Sequence, residues 1–298
     1  MDQRREETVN VVFAADAAYA MPLAVAICSA ARNSDKRRRL DVWVIHAGIG
    51  PELRGRVEAS LGRAGRSRAR IHWISVSYER LAQYKTTHQR AYTSPMCYGR
   101  LLIPELLPRD VARVLYLDSD IVVKSDVGEL FDTPMEGKSV WAVRDLLGVI
   151  SASPGLANHG ELGIPGAAKY FNSGVMLMDL EKWRDRDTGG RVFRYLAEHR
   201  AVIAFEDQDA LNAVLFDDWG ELDRCWNWQM WSSPTDRKNI IHFTTAAKPW
   251  LPSCGDPEES EFFKYLDKTD WRGWRLPGPQ SLAVRFRRAV GSLLGRSR

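Results

Sequence analysis

The segment VLYLDSD, residues 114–120, is the most informative stretch of this 298-residue chain. Its apolar part predicts a buried strand that ends at the first carboxylate. Alternate side chains of an extended strand share a face, so Asp118 and Asp120 should project together. Two carboxylates at a buried strand end are costly unless a cation lies between them, and oxygen ligands suit Mg²⁺ or Mn²⁺. The alternative is a polar strand end with two solvated acids.

On both sides of this segment, apolar runs of strand length alternate with helical stretches. Strands are predicted at residues 9–15, 40–46, 71–76, 140–143, 175–180 and 240–243. Helices are predicted at residues 17–31, 51–61, 190–199 and 206–216, and a long loop or lid at residues 147–168. This alternation predicts an α/β fold with a parallel, doubly wound sheet, and with ligands along the edge formed by the strand carboxyl ends.

The composition limits the class of protein. An apolar fraction of 45% and a charged fraction of 27% are typical of a globular domain, and the net charge is only +4. The cysteines are scattered without a C-x-x-C pair, which argues against a structural zinc site and a disulfide framework. The first residues lack the apolar segment of a signal peptide, and the most apolar early run, residues 17–31, is too short to span a bilayer. We therefore expect a cytoplasmic protein, and we expect no nucleic-acid partner because no binding module for one is visible.

Four further motifs accompany VLYLDSD: FAADAAYA at residues 13–20, NSGVMLMD at 172–179, DQD at 207–209 and IHFTTAAKPW at 241–250. In this order the five motifs resemble glycosyltransferase family 8, the retaining bacterial galactosyl- and glucosyltransferases related to glycogenin. The resemblance implies a GT-A fold, with a Rossmann-like, mostly parallel sheet flanked by helices, and we expect a catalytic domain over residues 1–255. It also implies retaining transfer of galactose or glucose from a UDP-sugar to a saccharide or glycolipid acceptor.

The resemblance implies a metal site on the donor diphosphate. Asp118 and Asp120 match the D-x-D aspartates that hold Mn²⁺, and His242 matches the third protein ligand. An imidazole beside two carboxylates favours Mn²⁺, although Mg²⁺ remains open. Taken alone, His242 would more often be a buried core histidine. Lys248 matches a lysine that meets the diphosphate, where its charge would stabilise the leaving group.

The resemblance also implies which residues contact the donor. Ala14, Asp16 and Tyr19 match the site for the base and ribose, although Asp16 also suits a helix N-cap. Further donor contacts are expected from Arg100, Ser119, Asn172, Ser173 and Lys248. Thr245 stands where the family usually has a glycine in an H-x-x-G-x-x-K loop, and its side chain could crowd the phosphate or bond to it.

Three residues are expected around the reacting sugar: Asp145, Asp207 and Gln208. A double displacement needs a nucleophile beneath the anomeric carbon, and the matching residue, Gln208, is a poor one. The resemblance therefore favours front-face substitution, in which the departing phosphate takes the acceptor proton. The alternative is a glycosyl intermediate on Asp207 or Asp145.

Two features bear on the acceptor and on location. Residues 256–298 are expected to form a helical, basic tail whose amphipathic composition suits the anionic inner face of a membrane, as in family members that build lipooligosaccharide. A solvated tail is the alternative. In the WNWQMW segment, Trp226, Trp228 and Trp231 could form a sugar-stacking platform, but core packing is expected for at least two of them.

Two other functions fit part of the sequence. DSDIV at residues 118–122 matches the D-x-D-x-V motif of aspartyl-phosphate phosphatases, in which Asp118 would attack phosphorus. That motif normally lies on the first strand, whereas here it follows more than a hundred residues. The other alternative is a UDP-sugar-binding protein that has lost turnover, and Thr245 is its sole support. Hydrolysis of p-nitrophenyl phosphate would indicate the first, and UDP-sugar binding without turnover the second.

Overall fold

A seven-stranded sheet forms the centre of the computed structural model, which describes residues 8–85, 94–232, 235–252 and 254–276. Numbered in chain order, its strands are β1 (Val9–Asp16), β2 (Leu40–Ala47), β3 (Ala69–Ser75), β4 (Arg113–Leu117), β6 (Val140–Val149), β7 (Lys169–Asp179) and β8 (Trp219–Leu222). Their order across the sheet is β3-β2-β1-β4-β7-β6-β8. A smaller sheet consists of β5 (Ile121–Val123), β9 (Trp228–Gln229) and β10 (Ile240–His242), with β10 in the middle.

The large sheet is mostly parallel and contains one reversed strand. β1 pairs in parallel with β2 and β4, β2 with β3, and β6 with β8, whereas β7 runs antiparallel to both β4 and β6. The predicted α/β fold is confirmed, but the alternating pattern gave no sign that β7 is reversed. Turns connect β6 directly to β7, and a parallel pairing would need a crossover, usually a helix. The predicted loop begins after Val149, and β7 begins at Lys169 instead of residue 175.

Helices flank the sheet. They are α1 (Ala20–Asn33), α2 (Pro51–Arg63), α3 (Tyr78–Ala82), α4 (Ile103–Leu106), α5 (Val127–Phe131), α6 (Leu180–Asp185), α7 (Thr188–Glu198), α8 (Glu206–Leu215) and α9 (Glu259–Leu266), with 3₁₀ helices at Ala17–Tyr19, Pro95–Leu102 and Arg224–Asn227. α1 is rich in alanine and buried along most of its length, so it can approach β5 closely. There, Ser29 Oγ accepts a hydrogen bond from Val123 N at 2.9 Å. This contact fixes the strand that directly follows the D-x-D aspartates.

Alternate residues of the central strands face two separate apolar clusters. On β1, Val11 and Phe13 belong to one cluster and Val12 to the other, and β4 alternates in the same way. A strand that is buried on both faces reads as a continuous apolar run, which explains why both strands were predictable. Because β1 and β4 are parallel neighbours, the residues that follow them lie side by side at one edge of the sheet.

The chain after β10 returns to the main core. Phe262 and Tyr265 of α9, together with Trp271, belong to the same apolar cluster as α1. The Trp271 ring also lies 4.0 Å from the Arg56 guanidinium of α2. The division at residue 255 stays a prediction, and the predicted basic tail from residue 277 onward lies outside the described residues. In the described part of the chain, no helix has both the length and the apolar composition that crossing a bilayer requires.

Candidate active site

The carboxyl ends of β1 and β4 open into a cavity of about 280 Å³. Its wall includes these predicted site residues: Ala14, Asp16, Tyr19, Arg100, Asp118, Ser119, Asp120, Asp145, Asn172, Ser173, Asp207, Gln208, His242 and Lys248. Thr245 is the one predicted site residue that does not line the cavity. Its hydroxyl donates a hydrogen bond to the Ala247 carbonyl at 3.1 Å, and the neighbouring Thr244 faces the cavity.

Three potential metal ligands meet in the wall of this cavity. Asp118 and Asp120 follow β4, while His242 ends β10, which pairs with the strand directly after Asp120. His242 Nε2 lies 3.3 Å from Asp120 Oδ1 and 3.6 Å from Asp118 Oδ2. One ligand atom from each residue lies within 4.8 Å of the others. The small sheet therefore brings a distant histidine to the D-x-D aspartates.

In each aspartate one carboxylate oxygen faces His242, and the other accepts hydrogen bonds from protein side chains. Asp118 Oδ1 accepts hydrogen bonds from Arg100 Nη2 at 3.0 Å and from the Tyr116 hydroxyl at 2.7 Å. Asp120 Oδ2 accepts one from Lys248 Nζ at 2.6 Å. Burial alone would raise the pKa of Asp120, but the neighbouring ammonium of Lys248 holds that pKa well below its usual value. The three inward atoms thus form an oxygen and nitrogen donor set that suits Mn²⁺ and also admits Mg²⁺.

Gly174 leaves the space that this donor set needs. It lies on β7, and its carbonyl accepts a hydrogen bond from Asp118 N at 2.8 Å. A Cβ at this position would lie 2.7 Å from Asp118 Oδ2 and would overlap the ring of His242. A glycine is therefore required here for close approach, and the residues present fit a divalent cation.

The predicted sugar-side residues form a hydrogen-bonded group on β6, β7 and α8. Asp145 Oδ2 accepts from Asn172 Nδ2 at 2.9 Å and from Gln208 Nε2 at 3.3 Å. Gln208 Oε1 accepts from Ser173 N at 3.1 Å. The orientations of the two amide side chains are therefore fixed, because a carboxylate can only accept and a backbone N–H can only donate.

Asp207 is a buried acid, only 3% exposed, in the first turn of α8. Its Oδ2 forms an ion pair with Arg100 Nε at 3.0 Å. Burial raises the pKa of Asp207 to about 7, against the opposing effect of Arg100. Glu206 precedes it with a φ of 45°, in the left-handed region that is unusual for a side chain larger than glycine. Its carboxylate contributes to the raised pKa of Asp207.

The predicted nucleotide side is built on the turn after β1. Asp16 caps this turn, since its Oδ1 accepts from the backbone N–H groups of Ala18 and Tyr19 at 3.0 and 3.3 Å. Its other oxygen accepts from Ser94 Oγ at 2.5 Å. Asp16 therefore acts as an N-cap in this structure, and its contact with the nucleotide base stays a prediction. Tyr19 packs edge to face against Trp250, with ring centres 5.7 Å apart.

The sequence interpretation missed residues that hold the site together. Tyr116 lies within VLYLDSD, two positions before Asp118 and on the same strand face, so the period of the strand could have identified it. Asn227 forms a hydrogen bond with His242. It lies in the WNWQMW segment, which was interpreted from its tryptophans alone. Of the tryptophans predicted as a possible stacking platform, Trp228 is buried and Trp231 is 73% exposed. Trp231 lies two residues after Gln229, and Gln229 lines the cavity.

The fold and the site agree with the comparison to known families. A sequence model described as "Glycosyl transferase family 8" matches residues 10–254. The chain belongs to glycosyl transferase family 8 and is a glycosyltransferase, as the motifs predicted. Membership implies a nucleotide-sugar donor and a saccharide acceptor, and it leaves the phosphatase alternative without support.

Individual relatives cover nearly the whole chain. General stress protein A of Bacillus subtilis is 30% identical in an alignment 291 residues long, which covers 90% of this chain and 96% of that protein. Lipopolysaccharide 1,2-glucosyltransferase of Escherichia coli is 26% identical in an alignment 280 residues long, which covers 89% of this chain and 80% of that protein. The crystal structure of galactosyltransferase LgtC with donor and acceptor sugar analogs is similar with a TM-score of 0.74 and 27% identity, covering 91% of this chain and 98% of LgtC.

Proposed function

We propose that this protein transfers galactose or glucose from a UDP-sugar to a saccharide or glycolipid acceptor, with retention of configuration and with Mn²⁺ as the preferred metal. The observation that carries the proposal is the convergence of Asp118 Oδ2, Asp120 Oδ1 and His242 Nε2 in the wall of the cavity, beside the buried cations Arg100 and Lys248. When bound there, Mn²⁺ would neutralise charge that develops on the departing diphosphate.

Arg100 and Lys248 are the side chains that would assist this departure. Both are 4% exposed, and both line the cavity next to a ligand aspartate. Buried cations act on a diphosphate more strongly than solvated ones, because little water screens them. Lys248 can turn from Asp120 toward the phosphate, and the rigid guanidinium of Arg100 holds Asp118 in place while it faces the donor.

The sugar-side geometry supports front-face substitution. Gln208 gives its oxygen to Ser173 N and its amide to Asp145, so it orients the sugar and offers no nucleophile. In this reaction the bond between the anomeric carbon and the diphosphate oxygen breaks. The acceptor oxygen bonds to the same face of that carbon, and its proton passes to the departing phosphate oxygen. Asp207, with a pKa raised to about 7 and an ion pair to Arg100, is a weak candidate for a glycosyl intermediate.

The relatives support the choice of substrates. LgtC is named a galactosyltransferase, and one of its structures is that of an active-site mutant in which a glutamine is replaced by glutamate. The Escherichia coli relative is named a lipopolysaccharide glucosyltransferase. These names favour a hexose donor and an acceptor that is part of a membrane glycan. Attachment of the basic tail to the inner face of the membrane remains part of the proposal.

The decisive experiment is the release of UDP from UDP-glucose and UDP-galactose, with Mn²⁺, with Mg²⁺ and with neither. We expect Mn²⁺-dependent release that is lost in Asp120→Asn. The matched control is Asp110→Asn, because Asp110 is an exposed acid at the opposite end of β4. Binding of both UDP-sugars without any release, with or without added saccharides, would indicate the binding protein instead of the enzyme. Release that is independent of metal would overturn the metal assignment.

A further inference from the structure

Asn227 joins the two halves of the site. It ends the 3₁₀ helix Arg224–Asn227, and its side chain is 1% exposed. Its Oδ1 lies 2.9 Å from His242 Nδ1, and its Nδ2 donates to Asn172 Oδ1 at 2.8 Å. One buried amide therefore contacts both a candidate metal ligand and a residue of the sugar side.

The chemistry of this chain fixes the orientation of every member. Asp145 can only accept, so Asn172 must turn its NH₂ group toward Asp145, at 2.9 Å. The oxygen of Asn172 then faces Asn227, and this assignment is supported by Gly174 N, which donates to the same oxygen at 3.0 Å. Asn227 must in turn present its NH₂ group to Asn172. Its oxygen is left facing His242.

The last link determines the tautomer of His242. An amide oxygen accepts but cannot donate, so Nδ1 of His242 must carry the proton. The lone pair of a neutral imidazole is then on Nε2, the atom that faces Asp118 and Asp120. With the opposite tautomer, an N–H group would point at the ligand position and a cation could not bind there.

We propose that the relay Asp145–Asn172–Asn227–His242 fixes His242 as the Nδ1–H tautomer and makes Asn227 a positioning residue for the metal. The inference rests on the proposed function only in assigning His242 to a metal. The relay also couples the two ends of the site, because the same amide that orients His242 holds Asn172 on the sugar side. Hydrogen bonds from ligand histidines to neighbouring acceptors typically change metal affinity by about 10–100-fold.

The tautomer can be measured without metal and without turnover. Long-range ¹H–¹⁵N spectra of metal-free protein labelled with ¹⁵N-histidine distinguish protonated from unprotonated ring nitrogens. The chain has six histidines, and a His242→Gln variant identifies the resonances of His242. We expect Nδ1 of His242 to carry a proton in the metal-free wild type, and to lose it in Asn227→Leu. A wild type in which Nδ1 of His242 is unprotonated would overturn the relay, whether or not the protein binds metal.

Metal affinity supplies the second readout, with free Mn²⁺ measured by electron paramagnetic resonance. Asn227→Leu should weaken Mn²⁺ binding by about 10–100-fold. Asn227→Asp should restore it, because a carboxylate also accepts from Nδ1–H, but should still impair use of the donor sugar, because a carboxylate cannot donate to Asn172. The matched control is Asn158→Leu: Asn158 is 5% exposed, accepts a hydrogen bond from the Tyr195 hydroxyl at 2.7 Å, and does not line the cavity.

The outcomes separate the relay from the proposed function. Unchanged Mn²⁺ affinity and an unchanged tautomer in Asn227→Leu would overturn the relay even if the wild type is an active transferase. A wild type that binds no Mn²⁺ would contradict the metal assignment, while the tautomer measurement would still decide the relay. If Asn227→Leu does not fold, the wild-type spectrum and the Asn227→Asp variant decide it.

Discussion

Replacing Gly174 by alanine tests the packing around the candidate metal site. The new Cβ would lie 2.7 Å from Asp118 Oδ2 and closer still to the His242 ring. Carbon and oxygen atoms approach each other to about 3.3 Å, so Asp118 would have to retreat by about 0.6 Å and His242 by more. Overpacking of this kind costs about 1–3 kcal/mol, which corresponds to about 2–12 °C in melting temperature for a domain of this size.

The displaced atoms belong to two of the three candidate ligands. Loss of one hydrogen bond to a metal ligand typically weakens metal binding by about 10–100-fold, and we expect the affinity of Gly174→Ala for Mn²⁺ to fall at least that far. The assay combines Mn²⁺ titration followed by electron paramagnetic resonance with thermal unfolding, with and without Mn²⁺. Gly55→Ala is the control, because no atom lies within 4 Å of its Cβ position and alanine favours helix α2 by about 0.5–1 kcal/mol. A Gly174→Ala protein that binds Mn²⁺ as tightly as the wild type would refute the assignment of His242 and Asp118 as joint ligands.

Three further predictions concern single side chains. Lys248→Met removes the ion pair that Asp120 makes at 2.6 Å, and it should weaken UDP-sugar binding at least tenfold in calorimetry; unchanged affinity would contradict the diphosphate role. Asp207 has a pKa of about 7 when folded and 3.8 as its reference value, so the folded state holds the extra proton and stability should fall as pH rises from about 4 to about 7. The free energy of unfolding in urea should therefore decrease over this pH range in the wild type, by about 1.4 kcal/mol per unit of pKa shift, and should not decrease in Asp207→Asn. An equal decrease in the wild type and in Asp207→Asn would show that Asp207 is not its cause. Trp231→Ala should raise the KM for the acceptor about tenfold, which is the loss of one stacking contact of about 1.4 kcal/mol, and should leave UDP-sugar hydrolysis unchanged; a change in hydrolysis alone would place Trp231 on the donor side.

Much of the fold could be predicted because its central strands carry strong local signals. β1 and β4 are buried on both faces, so each reads as an unbroken apolar run. The reversed direction of β7 could not be predicted in this way. Direction depends on the path of the connecting segment, and the residues of β7 are apolar whichever way the strand runs. The resemblance to the family supplied the GT-A fold where periodicity could not.

The candidate metal ligands could be predicted from the sequence, whereas Asn227, which forms a hydrogen bond with His242, could not. Asp118 and Asp120 are close in sequence, and motif order identified His242, although more than a hundred residues separate them. Asn227 carried no comparable signal. An asparagine between two tryptophans is an ordinary feature of a sequence, and its role arises only when β9 and β10 pair and bring it within 2.9 Å of His242. Thr245 stood out as a departure from the family, yet its hydroxyl bonds within its own loop.

The balance of charge explains how this site can be assembled before any substrate arrives. Arg100 and Lys248 are almost fully buried, and each is neutralised by one of the ligand aspartates. A buried charge is costly unless it is paired, so the two ion pairs allow four charged side chains to line one cavity. A divalent cation and the diphosphate of a UDP-sugar carry equal and opposite charges. Under the proposed function they would therefore enter together without changing the net charge of the buried site, with Asp118 and Asp120 holding the cation and Arg100 and Lys248 facing the diphosphate. The ion pairs thus hold Arg100 and Lys248 beside the candidate metal ligands before any ligand is bound, and under the proposed function the donor would meet groups that are already in position.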